Sequence, residues 1–205
     1  MALVNIEKVS IARGAKSVIT DFSARIEPGK ITAIIGPNGS GKSTLLSAIA
    51  GDLPVNAGEI SIDGRNLKDI SVLEQAKLRS VVLQNRNYWL SYSTRELIEM
   101  GQGPQELLQV EAVVQALDMK RFENQSVTTL SGGEAQRIEI ARALIRDTPI
   151  YLFDEPLSAQ DVASKARIIA LLQGLREKGK TILVIAHIDK NSLTWCDQII
   201  DTLAQ

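Results

Sequence analysis

The sequence has few of the residues from which disulfide frameworks and multi-residue metal centres are built. Among its 205 residues it contains one cysteine, Cys196, and one histidine, His187. A single cysteine excludes a disulfide framework and a cysteine-based zinc site, and a single histidine excludes a multi-histidine metal centre. We therefore expect the protein to work in a reducing compartment.

A dominant charge and long apolar runs are also lacking. Lys and Arg number 23 and Asp and Glu number 24, which gives a formal net charge of −1 and excludes a basic nucleic-acid clamp or an acidic disordered tail as the main identity. The longest apolar runs, such as residues 182–186, are too short to cross a bilayer, and the first residues do not form an export signal. We expect a soluble chain with no nucleic-acid partner, which leaves docking onto a membrane protein open.

The periodicity of apolar residues predicts an α/β core. The first thirty residues alternate as half-buried strands do. Residues 31–35, Ile-Thr-Ala-Ile-Ile, are apolar on both faces, as in a central parallel strand, and a helix is predicted over 42–50. The later core elements are a strand at 150–153, a helix over 162–178 and a last strand at 181–186. This alternation predicts a mostly parallel sheet with helices on both faces.

Strand patterns disappear between about residue 84 and residue 146. Residues 105–119 there carry apolar residues at helical spacing. Because strand patterns resume afterwards, we interpret 84–146 as a helical insertion. At roughly 100–200 residues per domain, the chain is predicted to form one domain, 1–205, with a core built from 1–83 and 147–205.

A phosphate-binding loop is predicted between the strand at 31–35 and the helix that follows. Residues 36–43 read Gly-Pro-Asn-Gly-Ser-Gly-Lys-Ser and fit the pattern G-x-x-x-x-G-K-[ST] completely. Its glycines let backbone amides surround phosphate oxygens, Lys42 adds a positive charge and Ser43 offers a hydroxyl to Mg²⁺. The candidate nucleotide-binding residues are Gly36, Pro37, Asn38, Gly39, Ser40, Gly41, Lys42, Ser43 and Thr44. The pattern predicts that a nucleoside triphosphate binds here.

Two acids and the single histidine follow predicted strands of the same sheet. Asp154 and Glu155 come directly after 150–153, and His187 comes after 181–186. Asp154 can reach a Mg²⁺ ion, and Glu155 can orient or deprotonate an attacking water. His187 can donate a hydrogen bond to the γ-phosphate. The alternatives are that the acids only open a loop and that His187 is a structural residue.

A further motif makes the pattern specific to one family. Residues 130–137 read Leu-Ser-Gly-Gly-Glu-Ala-Gln-Arg. Together with the phosphate loop, the two acids and the histidine, in this order, they make the chain similar to the nucleotide-binding subunits of ABC transporters. The resemblance covers essentially the whole chain. It implies an α/β fold with a P-loop NTPase core, a mostly parallel sheet, an antiparallel N-terminal β part and an inserted α-helical subdomain.

The resemblance also implies a role for each motif residue. Gln84 corresponds to a glutamine that contacts Mg²⁺ and water, Asp154 to the Mg²⁺ carboxylate and Glu155 to the general base. The implied metal ligands are Ser43, Gln84 and Asp154, and the implied catalytic residues are Lys42, Gln84, Glu155 and His187. The implied signature residues Ser131, Gly132, Gly133 and Glu134 serve the nucleotide of a second cassette subunit. Two copies then enclose ATP and Mg²⁺, and hydrolysis lets them separate.

Two positions depart from the family pattern. Residues 158–161 resemble the loop that crosses the interface between cassettes, but the family commonly has leucine where Gln160 stands. Family members usually offer an aromatic ring to adenine shortly after the first strand, where this chain has Arg13. A guanidinium plane can stack on a base. The alternative is that Arg13 is solvated and that adenine packs on apolar neighbours.

An aromatic cluster follows Gln84. Tyr88, Trp89 and Tyr92 are three of the eight aromatic residues in the chain. Such a cluster suits an interface anchor, and in the family this region receives a short helix of the membrane partner. The alternative is that the rings fill the core of the helical insertion.

The resemblance implies a transport ATPase on the cytoplasmic face of the membrane. Its implied partners are a second cassette subunit, a separate integral-membrane permease and an extracytoplasmic substrate-binding protein. Residues 46–84 are most similar to cassettes for the import of iron–siderophore complexes, haem and cobalamin. Two alternatives are a non-transport cassette acting as an ATP-driven clamp and a nucleotide-gated subunit with negligible turnover. The absence of a second cassette or a long coiled coil argues against the first, and Glu155 and His187 argue against the second.

Overall fold

The structure is a computed structural model that describes residues 3–14, 16–84, 88–187 and 190–202. Within these ranges the strands are β1 (Val4–Arg13), β2 (Lys16–Ile26), β3 (Ile31–Ile35), β4 (Ala57–Ile62), β5 (Arg65–Asn66), β6 (Arg79–Val82), β7 (Ile150–Asp154), β8 (Thr181–Ile185) and β9 (Gln198–Asp201). The α-helices are α1 (Lys42–Ile49), α2 (Val72–Leu78), α3 (Thr94–Glu99), α4 (Pro104–Leu107), α5 (Val110–Ala116), α6 (Gly132–Ile145) and α7 (Val162–Glu177). Short 3₁₀ helices cover Leu67–Asp69, Lys120–Phe122, Val127–Thr129 and Lys190–Ser192.

A parallel sheet carries the candidate site. Its strands pair in the order β6-β7-β8-β3-β9 within the described ranges, and every pairing is parallel. The carboxyl ends of β3, β7 and β8 therefore lie at one edge of the sheet, which is where ligands bind in open α/β sheets. A second, antiparallel sheet has the order β2-β1-β4-β5. The predicted α/β class, with a mostly parallel sheet and an antiparallel N-terminal part, is confirmed.

The parallel sheet is buried on both faces, as the apolar sequences of its strands predict. Ile150 and Leu152 of β7 belong to an apolar cluster with α1 and the antiparallel sheet. Tyr151 and Phe153, on the other face of β7, belong to a second cluster with α5, α6 and α7. None of the helices in the described ranges combines the length and the hydrophobicity that a membrane span requires.

Strand β9 was not predicted. It pairs in parallel with β3, with Ile200 opposite Ile34, so the prediction that 181–186 is the last strand is wrong. Ile200 is the one residue of its four that is buried. A four-residue strand with one buried side chain has too short an alternation of apolar and polar residues to be predicted from the sequence.

The helix predicted over 105–119 is divided into α4 and α5. The amide of Gln109 donates to the carbonyl oxygen of Glu106 at 2.9 Å, a tight turn between the two helices. Leu108 beside this turn is 73% exposed, whereas Val110 and Val114 of α5 are buried. The apolar residues before and after the turn therefore do not share one helical face.

Candidate active site

The phosphate loop joins the carboxyl end of β3 to α1. Gly41 precedes the first turn of α1 with a φ of 88°, a left-handed conformation that glycine adopts without strain. Gly36 has a φ of 148°, and a Cβ there would collide with the side chain of Thr202. The Thr202 hydroxyl lies 2.9 Å from Ser40 Oγ and 3.2 Å from the carbonyl oxygen of Ile35. The residue that follows β9 therefore braces the loop, a contact that no signal in the sequence predicts.

Lys42 is the first residue of α1, and its side chain extends back to the start of the loop. Its Nζ donates to the carbonyl oxygens of Gly36 and Pro37, both at 2.9 Å. Burial lowers the pKa of Lys42, and the negative charges of Glu155 and Asp154 act in the opposite direction. The ammonium thus has neutral hydrogen-bond acceptors in the loop and two carboxylates within electrostatic range.

Asp154 ends β7 and is buried. Burial raises the pKa of Asp154, while a hydrogen bond with Ser43 and electrostatic interactions with His187 and Lys42 act to lower it. In the described part of the chain, Asp154 Oδ1 is buried without a hydrogen-bond partner. Mg²⁺ prefers oxygen ligands. The Asp154 carboxylate and the neighbouring Ser43 hydroxyl supply oxygen atoms of this kind.

Glu155 is held between two of the other predicted catalytic residues. Its Oε2 accepts a hydrogen bond from Gln84 Nε2 at 2.7 Å, and its Oε1 lies 2.7 Å from His187 Nε2. These three side chains follow three neighbouring strands, β6, β7 and β8. Glu155 also has a φ of 52°, an uncommon backbone conformation of the kind that clusters at functional sites.

One open cleft of about 910 Å³ is lined by Arg13 and six residues of the phosphate loop, but not by Gly36, Pro37, Ser40 or the signature residues. It is lined by Arg13, Lys16, Val18, Asn38, Gly39, Gly41, Lys42, Ser43, Thr44, Gln84, Glu155 and His187. Sequence reasoning did not select Lys16 and Val18. In the structure Lys16 lies directly opposite Arg13 in the hairpin of β1 and β2. A cleft of this size is large enough for a nucleotide.

The signature forms the N-terminus of α6, which begins at Gly132. Ser131 caps the helix: its Oγ accepts from the Glu134 amide at 3.3 Å, and Glu134 Oε2 accepts from the Ser131 amide at 3.1 Å. Ser131 and Gly132 are exposed. A Cβ on Gly133 would lie 2.5 Å from the carbonyl oxygen of Ala159, so the signature needs glycine at that position.

The aromatic cluster divides between core and surface. Tyr88 packs against the apolar cluster around α6 and donates its hydroxyl to Glu139 Oε1 at 2.6 Å. Trp89 is 88% exposed, and Tyr92 is 38% exposed. The alternative of a core role therefore describes Tyr88, whereas Trp89 is available on the surface.

Sequence comparison places the chain in a family. Residues 19–158 match the profile described as ABC transporter. This range is more than half of the chain and includes the phosphate loop, the signature, Asp154 and Glu155. The chain belongs to the ABC transporter family.

Individual relatives cover nearly all of this ABC cassette. The hemin import ATP-binding protein of Rhodococcus jostii is 31% identical, over 94% of this chain and 68% of the relative. The zinc transport system ATP-binding protein of Treponema pallidum is 33% identical, over 96% of this chain and 77% of the relative. A solved ATP-binding subunit of an ABC transporter superposes with a TM-score of 0.87 at 22% identity, over 97% of this chain and 85% of that one. The last comparison shows the fold.

Membership of this family establishes the type of activity. ATP-binding subunits of ABC transporters are ATPases, and they work as pairs of cassettes with a membrane permease. This cassette is therefore a nucleotide-binding ATPase subunit.

Proposed function

We propose that this cassette hydrolyses ATP to power the import of haem, a metal chelate such as an iron–siderophore complex or cobalamin, or a metal ion. One observation supports the proposed chemistry. The carboxylate of Glu155 accepts a hydrogen bond from Gln84 and lies 2.7 Å from His187 Nε2, in the cleft that the phosphate loop lines. The class of cargo is supported by the relatives named for hemin and zinc transport.

In this proposal the loop from Gly36 to Thr44 binds the phosphates of ATP. Backbone amides at glycines 36, 39 and 41 and the N-terminus of α1 face the anion, and Lys42 turns its ammonium from carbonyl oxygens to the β- and γ-phosphates. Arg13, which lines the same cleft, stacks its guanidinium plane on the adenine.

The donors present suit a bound Mg²⁺ ion. Ser43, Gln84 and Asp154 would hold it. In the described residues no group of three or more histidine, cysteine or carboxylate side chains could hold a metal ion by itself, and Mg²⁺ usually takes one or two carboxylates together with phosphate oxygens and water. When bound it supplies positive charge that stabilises the transferring phosphoryl group.

Glu155 is the proposed general base. It takes a proton from the water that attacks the γ-phosphorus, and the bond from that phosphorus to the bridging oxygen breaks, which gives ADP and phosphate. The Gln84 amide fixes one oxygen of the Glu155 carboxylate, and in this proposal the same side chain orients the water. His187 fixes the other oxygen and donates a hydrogen bond to the γ-phosphate.

Two copies of the chain are proposed to enclose the nucleotides. Ser131, Gly132, Gly133 and Glu134 of each copy then face the ATP held by the phosphate loop of the other. The exposed N-terminus of α6 suits a phosphate group. In this arrangement 1–83 and 147–205 form the nucleotide-binding core, and 84–146 forms the helical subdomain that carries the signature.

The remaining partners are proposed to be a separate integral-membrane permease and an extracytoplasmic binding protein that delivers the cargo. Trp89, with 88% of its surface exposed, is the proposed anchor for a short helix of the permease. This contact places the cassette at the cytoplasmic face of the membrane, and the proposal includes no nucleic acid.

A transport measurement tests the proposal. A host strain without this cassette should accumulate less of one cargo among haem, iron–siderophore, cobalamin, zinc and manganese. The wild-type chain should restore that uptake, and Glu155→Gln should not. Normal uptake of all five cargoes in the deletion strain would contradict the proposed import function.

A further inference from the structure

Two positive charges flank the turn of the hairpin formed by β1 and β2. Arg13, the last residue of β1, lies directly opposite Lys16, the first residue of β2. Like charges that face each other in this way destabilise an antiparallel pair. Both residues are exposed, and none of the ion pairs within the described ranges includes either of them. The two cations are therefore available to a ligand that carries hydrogen-bond acceptors.

The same hairpin packs against the phosphate loop. A Cβ on Gly41 would lie 3.0 Å from Val18 Cγ1 and 2.8 Å from Ile19 Cγ1, so β2 contacts the loop at this point. Lys16 lies two residues before Val18, which at roughly 3.3 Å per residue is about 7 Å farther along the strand. Lys16 is thus within the length of a nucleotide of the loop that is proposed to bind the phosphates.

The two cations and the proposed catalytic residues line the same cleft from different sheets. Gln84, Glu155 and His187 follow strands of the parallel sheet, whereas Arg13 and Lys16 belong to the antiparallel sheet. In the proposed function the first three residues surround the γ-phosphate. The base at the other end of the nucleotide then lies beside the hairpin.

The hairpin offers the base hydrogen-bond donors only. A lysine ammonium has three donors, an arginine guanidinium has five, and neither has an acceptor. The edge of guanine presents two acceptors, N7 and O6, whereas adenine presents the acceptor N7 and the donor amino group at C6. With Arg13 stacked on the face of the base, the Lys16 ammonium meets its edge. It can donate to both acceptors of guanine but opposes the amino group of adenine.

We propose that Lys16 is a specificity-determining residue that reads the edge of the base, and that the cassette uses GTP at least as well as ATP. This inference rests on the proposed function, in which the phosphate loop holds a nucleoside triphosphate and Arg13 stacks on its base. The substrate class is then the purine nucleoside triphosphates, with a preference for an acceptor at C6 of the ring.

Phosphate release with MgATP and with MgGTP tests the preference. A good contact of this kind discriminates about 5- to 150-fold between bases, and water competes at the exposed Lys16. We therefore expect kcat/KM for GTP to exceed that for ATP about 2- to 10-fold. Lys16→Glu replaces donors by acceptors and should make ATP the better substrate. Its added negative charge opposes both triphosphates equally, so the ratio of the two kcat/KM values reports the base alone.

Two further variants complete the test. Lys16→Gln, whose amide both donates and accepts, should bring the ratio close to one. Lys30→Glu makes the same change of charge at an exposed residue directly before β3, at the edge of the parallel sheet away from the cleft, and should keep the wild-type ratio.

Three results would overturn the inference: a wild-type chain that favours ATP, an unchanged ratio in Lys16→Glu, or an equal change of the ratio in Lys30→Glu. Calorimetric titration of Glu155→Gln with each nucleotide measures the preference without turnover and should show tighter binding of GTP. Failure of the proposed function has a different signature, since the wild-type chain would then release phosphate from neither nucleotide while the titration still decides which base is preferred.

Discussion

Replacing Glu155 by glutamine separates the basicity of this side chain from its shape. The amide keeps one oxygen to accept from Gln84 Nε2, now at 2.7 Å from the carboxylate. Its NH₂ group can donate to His187 Nε2 if the histidine carries its proton on Nδ1. Exchanging two charge-assisted hydrogen bonds for neutral ones costs about 1–2 kcal/mol, a small part of the roughly 5–15 kcal/mol that stabilises a domain. We therefore expect Glu155→Gln to fold and to bind ATP.

Turnover is expected to respond far more strongly. A positioned general base contributes about 10²- to 10⁴-fold to the rate, or about 3–5 kcal/mol of transition-state stabilisation. Phosphate release at saturating ATP and magnesium should fall by that factor, while ATP titration gives an affinity near that of the wild type. Because ATP then persists between two subunits, light scattering should detect a stable pair of chains.

A matched control separates this effect from a general loss of negative charge. Glu177→Gln removes an exposed acid at the end of α7 and should leave phosphate release unchanged. If Glu155→Gln binds ATP and releases phosphate within twofold of the wild-type rate, Glu155 is not the base.

Three further predictions concern the phosphate loop, the proposed metal site and the surface. Lys42→Ala should weaken ATP binding about 10- to 100-fold, since a hydrogen bond to a charged group is worth about 1.5–3 kcal/mol. Calorimetric titration with ATP measures this effect, with Lys77→Ala as the control. Identical titration curves for Lys42→Ala and the wild type would contradict the prediction. Burial raises the pKa of Asp154, so ionisation destabilises the nucleotide-free fold, and stability falls as pH rises from the usual pKa to the raised one. Asp154→Asn should therefore lose turnover yet be more stable in thermal unfolding at pH 7 by about 0.5–2 kcal/mol, a gain that shrinks toward pH 4; an unchanged or lower stability at pH 7 would refute the argument. Trp89→Ala should retain ATP binding but co-purify poorly with the permease, with affinity reduced by about 30-fold or more, as for an interface hot spot; undiminished co-purification would exclude the anchor role.

The sequence was most informative where short motifs follow buried strands. The apolar sequences of β3, β7 and β8 and the crossover connections between them indicate that the three strands are parallel. Parallel strands bring the phosphate loop, Asp154 and His187 to the same edge of the sheet. Each motif lies within a few consecutive residues, so local pattern and general topology together were enough to predict that these groups lie close together.

Contacts between distant segments were not predictable in this way. Thr202 reaches Ser40 through a strand with one buried residue, and no local pattern marks that pairing. Gln160 was recognised only as a departure from leucine. Its burial depends on how the loop after β7 meets α6, which in turn depends on the backbone contact between Ala159 and Gly133.

The brace at Thr202 also has a consequence for biosynthesis. Ser40 and Thr202 are separated by 162 residues, so at about 5–20 residues per second the ribosome completes the brace roughly 10–30 s after the loop has been made. During that interval the phosphate loop lacks the contact from Thr202 to Ser40, so we expect the loop of a nascent chain that ends before β9 to be less rigid than that of the complete fold.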